Sequence, residues 1–278
     1  MQPDASRGSA KRADSPSHNP LAEALRFLAV MWACLPAIQP LFVPGLPNTH
    51  DGEGHLFRLL DFDLTWRAGA FFPRIAPHLA LDYGYATFTF YSPTSLYLGE
   101  TFHLFGLGYI AALKACFAAS IVSSGLGAYL LGRELYGTRG AMLAALVYVY
   151  LPYHLLDVYT RGDIAETLAL GLLPFVVWSF WRLARAPSTG RIVAAAVFLT
   201  GLVVTHNLSA MLLVPVLPVF LLVAINRDRS RHAIGAIALA GLLALTLSAF
   251  YWLPVLGQLG DINTAALTTG FFDYHQRF

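Results

Sequence analysis

Residues 192–225 read IVAAAVFLTGLVVTHNLSAMLLVPVLPVFLLVAI and contain no Asp, Glu, Lys or Arg. A helix needs roughly 20 apolar residues to cross the hydrocarbon core of a bilayer, so this segment is too long for a single span. His206 and Asn207 interrupt the apolar run near its middle and mark its natural turn. The segment therefore predicts two membrane helices joined at Thr205-His206-Asn207.

The composition of the whole chain supports the same conclusion. Of its 278 residues, 56% are hydrophobic and only 12% are charged, whereas soluble domains carry about 25% charged residues. Such a shortfall, with long uncharged runs, is typical of an integral membrane protein. Cys34 and Cys116 lie in apolar stretches, where thiols more often pack than form a disulfide or bind a metal. We therefore expect an all-α fold, a polytopic bundle of transmembrane helices.

Seven segments are apolar and close to membrane-spanning length: residues 23–43, 109–132, 140–156, 164–181, 192–208, 209–225 and 233–256. Residues 1–20 are polar and predict a disordered tail, so the membrane module runs from 21 to 278. Residues 93–106 are also apolar, but an eighth span would put the arginine-rich loops on opposite sides of the membrane. We expect these residues to form a juxtamembrane helix.

Basic residues are concentrated in the tail and in three loops: Arg7, Lys11, Arg12, Arg133, Arg139, Arg182, Arg185, Arg191, Arg227, Arg229 and Arg231. With seven spans all of these regions fall on one side, which the positive-inside rule assigns to the cytoplasm together with the N-terminus. The opposite face then holds most of the acidic residues and histidines, so we expect any chemistry there. The alternative is that longer outer loops simply collect polar residues.

The first outer loop, residues 44–92, carries the densest polar cluster, His50-Asp51-Gly52-Glu53-Gly54-His55-Leu56-Phe57-Arg58. If this stretch is helical, Asp51, His55 and Arg58 share one face. Asp51 could then accept a proton from a hydroxyl group, or bind a divalent cation together with Glu53. The alternative is that Asp51 only caps the helix.

Apolar residues from Leu56 to Trp66 predict that the same helix is amphipathic and lies on the bilayer. Pro73 then breaks the chain, and Arg74 directly after it is a candidate phosphate contact.

A second polar constellation connects two spans on the same face, and its members are His154, Asp157, Arg161, Asp163 and Glu166. The planar guanidinium of Arg161 suits recognition of a phosphate. Glu166 falls in the first turn of the next apolar helix, where the helix dipole stabilises a carboxylate. The alternative is that Arg161 forms structural salt bridges with the neighbouring acids.

The third candidate is the turn Thr205-His206-Asn207, which could contact a substrate. The alternative is that these three polar residues only form the turn. Motifs for other chemistries are absent from the sequence, including the Walker-type loop, the dinucleotide fingerprint, HExxH, paired CxxC and GxSxG. No basic stripe for nucleic acid is present beyond ordinary loop arginines.

The order of these motifs along the chain is itself a signal: His50-Asp51-x-x-x-His55-x-x-Arg58, Phe72-Pro73-Arg74, Gly84-Tyr85, Phe90-Tyr91-Ser92-Pro93, Pro152-Tyr153-His154, Arg161-Gly162-Asp163-x-x-Glu166 and Thr205-His206-Asn207. This series resembles the bacterial membrane proteins called 6-pyruvoyl-tetrahydropterin synthase-related. More broadly it resembles the type C glycosyltransferases (GT-C). The resemblance covers residues 25–278.

The GT-C resemblance implies an integral membrane enzyme of the bacterial inner membrane that uses a polyprenyl-phosphate sugar on its extracytoplasmic face. It implies Asp51 as catalytic base in an inverting transfer, with Arg58, Arg74, Arg161 and His206 binding substrate or phosphate. Supporting roles fall to His50, Glu53, His55, His154, Asp163, Glu166 and Asn207. A divalent cation, Mg²⁺ or Mn²⁺, would have Asp51 and Glu53 as candidate ligands, although their spacing departs from the commoner Asp-x-Asp arrangement.

Two other functions compete with this interpretation. A transporter or flippase would explain polar groups among apolar helices, but transporters usually place them near the midplane rather than at one surface. The second competing function is that of a non-catalytic membrane subunit in the assembly of envelope glycolipids. Because nothing near Phe278 resembles the finish of a domain, we also expect a longer protein with further spans.

Overall fold

The computed structural model describes residues 20–225 and 230–261. The helices are α1 (Pro20–Ala33), α2 (Leu35–Ile38), α3 (Gly52–Arg67), α4 (Thr87–Phe90), α5 (Thr94–Leu104), α6 (Tyr109–Val149), α7 (Pro152–Leu156), α8 (Ile164–Arg185), α9 (Thr189–Thr205), α10 (Asn207–Leu222), α11 (Ser230–Leu247) and α12 (Ala249–Gly257). One isolated bridge pairs Ala76 with Tyr85. The expected all-α class is confirmed. The predicted tail, apart from Pro20, lies outside the described residues.

Helix α6 is two helical arms rather than one rod. Its 41 residues would extend about 60 Å if straight, twice the thickness of the hydrocarbon core. Gly137 breaks the helix with a φ of 71°. A Cβ atom built on Gly132 would lie only 2.8 Å from the Cβ of Ala144, so the chain folds back on itself. Separate helices were expected at 109–132 and 140–156, and the second arm ends at Val149.

Three stretches are long and apolar enough to cross a membrane: Pro20–Phe42, Tyr109–Arg161 and Ile164–Arg185. A fourth is available if the pair Arg231–Leu247 and Ala249–Gly257, bent by 65°, counts as one broken span. Helices α9 and α10 are apolar but shorter, with 17 and 16 residues. By length and composition, the described residues therefore supply three to four candidate spans.

Helix α8 lies at the centre of the bundle, packed against α6, α9 and α11. One apolar core joins Phe180 and Leu183 of α8 to Leu202 of α9 and Leu213 of α10. A second core joins α2 and the preceding Cys34 to α3, α6 and the start of α8 through Leu59 and Ile164. The first loop is therefore packed onto the end of the bundle where α8 begins.

The two ends of α8 carry different charged groups. Near its C-terminal end, Arg182 pairs with Glu134 at 3.4 Å, and Arg133 of α6 pairs with Glu23 of α1. The N-terminal end faces the loop that contains Asp51, together with His206, the residue that follows α9. Three of the candidate site residues, Asp51, Arg161 and His206, thus meet at one end of the bundle.

Helix α3 does not have the simple amphipathic character expected of it. Phe57 and Leu64 are exposed, whereas Asp61 and Asp63 are buried. Asp61 accepts a hydrogen bond from the backbone N–H of His78 at 3.3 Å and faces its ring. Because buried carboxylates with partners replace part of the apolar face, this part of the prediction is wrong. The segment 93–106 contains the helix α5 (Thr94–Leu104), and its location at the membrane surface stays a prediction.

Substituting Gly132 by Ala should destabilise the bundle by about 1–3 kcal/mol, because the new methyl group collides with the opposite arm of α6. The Cα of Ala141 lies 3.0 Å from its position, and a backbone atom cannot swing aside. Gly201→Ala is the matched control, because its methyl group meets only a side-chain carbon of Leu172 at 3.8 Å and gains helix propensity. Thermal unfolding in detergent measures both, and equal melting temperatures would contradict the packing described.

Candidate functional site

The first loop is joined to the turn before α8 by two backbone hydrogen bonds. The N–H of His50 donates to the carbonyl of Thr160 at 3.1 Å, and that of Asp51 donates to the carbonyl of Arg161 at 2.8 Å. Gly162 follows with a φ of 74°, and a Cβ atom there would lie 2.2 Å from the Oγ1 of Thr49. Only glycine fits this position, because it tolerates both the left-handed conformation and the close approach.

This pairing brings together the residues that we call the Arg161 cluster: Asp51, Asp157, Arg161, Asp163, Glu166 and His206. The guanidinium of Arg161 lies 3.2 Å from Asp163, 3.6 Å from Asp157 and 3.7 Å from Asp51, and it donates a hydrogen bond to Glu166. The salt bridges proposed as the alternative role of Arg161 are therefore present. They also join the first loop to the turn before α8, so side chains from two separate loops form one candidate functional site.

Asp51 occupies the N-cap position of α3, but its side chain makes no capping hydrogen bond. Its backbone is in the helical region, with a φ of −107° and a ψ of −8°, whereas a capping residue normally adopts the extended region. The carboxylate is 46% exposed and faces Arg161. The alternative in which Asp51 acts only as a cap has no support in this geometry.

Asp163, in contrast, caps a helix. Its Oδ1 accepts hydrogen bonds from the backbone N–H groups of Ala165 at 2.9 Å and Glu166 at 3.1 Å, as expected for an N-cap. Glu166 also accepts a hydrogen bond from the hydroxyl of Tyr153. The nearest ligand atoms of Asp163, Glu166 and His206 lie within 4.8 Å of one another. These three residues could hold a metal ion.

Asp157 is a member of the cluster that sequence reasoning considered only as a salt-bridge partner. It lies in a single π-helical turn, Asp157–Arg161, and is 3% exposed. Both of its carboxylate oxygens are buried without a hydrogen bond. Its spacing of four residues from Arg161 indicates in the sequence that the two side chains can meet. The burial of Asp157 depends on the surrounding helices and could not be seen in the sequence.

His55 and Arg58 lie beside the cluster on α3. The Nδ1 of His55 is 3.4 Å from both the Nη1 of Arg58 and the hydroxyl of Tyr91, and the guanidinium of Arg58 lies over the Tyr91 ring. Burial, followed by the charge of Arg58, lowers the pKa of His55 to about 4. Burial also lowers the pKa of His206. Both histidines are therefore neutral near pH 7.

Some predicted site residues are not brought to the cluster. Arg74 donates to the carbonyl of Phe250 at 2.8 Å, and His154 packs against Tyr148. The side chain of Asn207 accepts a hydrogen bond from the N–H of the next residue. The side chains of His50 and Glu53 are exposed beside Asp51, and the geometry gives neither a contact with Arg161.

A second buried polar group lies farther along α3. Arg67 donates to both oxygens of Asp63, at 2.7 and 2.9 Å, and Tyr109 donates to the same carboxylate at 2.7 Å. Glu100 of α5 is buried nearby, and burial together with the charge of Asp63 raises its pKa. The spacing of Asp63 and Arg67 was visible in the sequence, whereas their approach to Glu100 depends on how α3 packs on α5.

An apolar groove of about 940 Å³ runs along a different face of α3. Leu56, Phe57 and Leu60 of α3 line it together with Phe42 and with residues near the start of α6. The ammonium group of Lys114 lies at this groove and donates to the carbonyl of Val43 at 2.5 Å. One short helix thus separates a groove for apolar groups from the charged cluster.

Comparison with known proteins identifies the family. A family model described as 6-pyruvoyl-tetrahydropterin synthase related domain, membrane protein, matches residues 88–276, more than half of the chain. The chain belongs to this family, which confirms that resemblance. The match includes Asp157, Arg161, Asp163, Glu166 and His206 and begins after the first-loop residue Asp51. No curated protein matches the chain by sequence.

The low pKa of His55 predicts how stability depends on pH. Between about pH 6.5 and pH 4 the unfolded chain binds a proton at this residue while the folded protein does not, so the free energy of unfolding falls as the pH falls. His55→Gln should remove this part of the dependence. Unfolding in detergent at pH 7.5, 6 and 5 measures the difference between wild type and variant. Parallel pH profiles for the two proteins would contradict the buried, neutral state of His55.

Proposed function

We propose that this member of the membrane protein family transfers a sugar from a polyprenyl-phosphate donor to an acceptor hydroxyl, with inversion at the anomeric carbon. The observation that carries the proposal is the exposure and position of the Asp51 side chain. Its carboxylate is half-exposed, caps no helix and is held beside Arg161 by two backbone hydrogen bonds. A carboxylate that the fold positions and leaves accessible to a substrate hydroxyl is what a general base requires.

Each bond change has a group to assist it. Asp51 accepts the proton of the acceptor hydroxyl as that oxygen attacks the anomeric carbon. The new C–O bond forms as the bond between that carbon and the donor phosphate oxygen breaks, so the polyprenyl phosphate leaves with the electron pair. The proton stays on Asp51 until water removes it. General bases of this kind contribute roughly 10²–10⁴ in rate.

The leaving phosphate needs a cation, and Arg58 is the arginine best placed to supply one. Its guanidinium lies over Tyr91 and near His55, and within the described residues it forms no ion pair with a carboxylate. Arg161 faces four carboxylates, so in this arrangement it positions acids rather than phosphate. The predicted phosphate contacts of Arg161, Arg74 and His206 stay predictions.

The apolar groove along α3 supports a lipid-linked donor. A polyprenyl chain is as apolar as the side chains that line the groove, and the groove lies on the same helix as Arg58. A donor whose tail occupies the groove would bring its phosphate near the first turns of α3. Both ends of such an amphipathic substrate would then lie along one 16-residue helix.

The proposal includes a topology with seven spans, of the type C glycosyltransferase kind, with the Arg161 cluster on the extracytoplasmic face of a bacterial inner membrane. The two arms of α6, the pair α9 and α10, and the bent pair α11 and α12 support this count, although α9 and α10 are short. The arginines near the C-terminal end of α8, opposite the cluster, fit a cytoplasmic location.

Asp51→Asn should reduce sugar transfer by about 10²–10⁴-fold, because an amide cannot accept the proton. Purified protein is incubated with a panel of polyprenyl-phosphate sugars radiolabelled in the sugar, with water acting as the acceptor, and release of free labelled sugar is followed. The melting temperature should change little, because Asp51 makes no capping hydrogen bond and its ion pair with Arg161 is half-exposed.

Asp82→Asn is the matched control, since Asp82 is exposed and lies outside the cluster in the same loop. Transfer by Asp51→Asn at the wild-type rate would remove the base from the mechanism. Wild-type protein that consumes no donor from the whole panel would instead indicate a transporter or a non-catalytic subunit.

A further inference from the structure

We infer that the Arg161 cluster binds one divalent transition-metal ion, Zn²⁺ or Mn²⁺, through Asp163, Glu166 and His206. This inference does not depend on sugar transfer, because it concerns binding of the ion alone. It also differs from the expectation that Asp51 and Glu53 are the ligands of a cation. The two sets of ligands share no residue, so an experiment can separate them.

The geometry of the three residues suits a metal. Their ligand atoms lie within 4.8 Å of one another, and two loops contribute them. Asp163 and Glu166 lie at the start of α8, and His206 follows the last residue of α9. Because α8 and α9 pack side by side and run in opposite directions, these positions meet at one end of the helix pair.

Each of the three side chains is also held through one of its two polar atoms, which leaves the other for a metal; in Asp163 and Glu166 this second atom now faces Arg161. The Nδ1 of His206 lies 2.8 Å from the hydroxyl of Ser209, and donation by Nδ1 leaves the lone pair of Nε2 for the ion. Asp163 accepts the N-terminal N–H groups of α8 through Oδ1. Glu166 accepts from Tyr153 through Oε1. Hydrogen bonds of this kind, made by the atom that does not bind the metal, fix the orientation of metal ligands in proteins.

The charge of the cluster also favours binding of a cation. Asp51, Asp157, Asp163 and Glu166 supply four carboxylates, and Arg161 is the one cation that contacts them among the described residues. Asp157 adds a second observation, because it is 3% exposed and neither of its oxygens accepts a hydrogen bond. The ionised form of a buried carboxylate among other acids is costly, and a metal ion beside it would stabilise that form.

The donor set decides which ion fits. One imidazole nitrogen and two carboxylates suit Zn²⁺ or Mn²⁺, whereas Ca²⁺ and Mg²⁺ prefer oxygen ligands throughout. Three protein ligands leave a coordination position open. Arg161 faces the same two carboxylates, so the bound ion would displace its guanidinium toward Asp51 and Asp157, which already lie 3.7 and 3.6 Å from it.

The test uses the full chain in detergent, purified with an affinity tag that contains no histidine and stripped with a chelator. Zn²⁺ and Mn²⁺ are titrated by calorimetry, and bound metal is counted after gel filtration. We expect one ion per chain, with affinity at least tenfold weaker in both His206→Gln and Glu166→Gln. Unfolding of the metal-free variants, compared with wild type, shows that the loss is not a failure to fold.

Three variants are controls that should bind like wild type. His232→Gln removes an exposed histidine of α11, Asp261→Asn removes an exposed acid, and Glu53→Gln removes the first-loop carboxylate that faces solvent. X-ray absorption of the Zn²⁺-loaded wild type should show one imidazole among oxygen ligands, and His206→Gln should lose it.

The inference is overturned by any of three results. The first is a folded wild-type chain that binds no ion in stoichiometric amount. The second is an affinity that is unchanged in both His206→Gln and Glu166→Gln. The third is binding that Glu53→Gln or Asp51→Asn abolishes while His206→Gln retains it, which would place the cation on the first-loop carboxylates instead.

Discussion

A guanidinium group that faces carboxylates from two loops holds the candidate site together. Asp51 comes from the first loop, while Asp157, Asp163 and Glu166 come from the turn that precedes α8 and from its first residues. Without the positive charge of Arg161, these acids would repel one another at the end of an apolar bundle, where water screens charge less than in bulk. Arg161 is therefore the structural centre of the cluster, and Asp51 is the most accessible of its four carboxylates.

The backbone around Arg161 fixes this arrangement before any side chain contributes. The carbonyls of Thr160 and Arg161 accept hydrogen bonds from the first loop, and Gly162 turns the chain so tightly against Thr49 that no side chain fits. The capping carboxylate of Asp163 then starts α8 at once. Because α8 is the most central helix of the bundle, the site is anchored to the part of the fold with the most packing.

Much of the helical fold follows from apolar segment lengths, because a chain that lives in lipid must satisfy its backbone within each helix. The break in α6 was expected from the basic residues around position 137, and the turn at His206 from the polar residues there. The prediction of a simple amphipathic helix failed for α3, because Asp61 and Asp63 are buried there. No periodicity shows this, because their partners, His78 and Tyr109, come from elsewhere in the chain.

The candidate site could be predicted in part for the same physical reason. The shared helix face of Asp51, His55 and Arg58, and the proximity of Arg161 to Glu166, follow from local spacing. The approach of Asp51 to Arg161 spans 110 positions and needed the family resemblance, or the structure, to suggest it. The burial of Asp157 and the position of Arg74 against α12 depend on tertiary packing alone.

The most direct test of the account is a cross-link between its two loops. His50 and Thr160 are exposed and joined by a backbone hydrogen bond, whereas the native Cys34 and Cys116 are buried. Cysteines introduced by His50→Cys and Thr160→Cys in one chain should be joined rapidly by the shortest bifunctional thiol reagent, with the single variants as controls. If both thiols of the folded protein instead react separately and no cross-link forms, the two loops do not make one site.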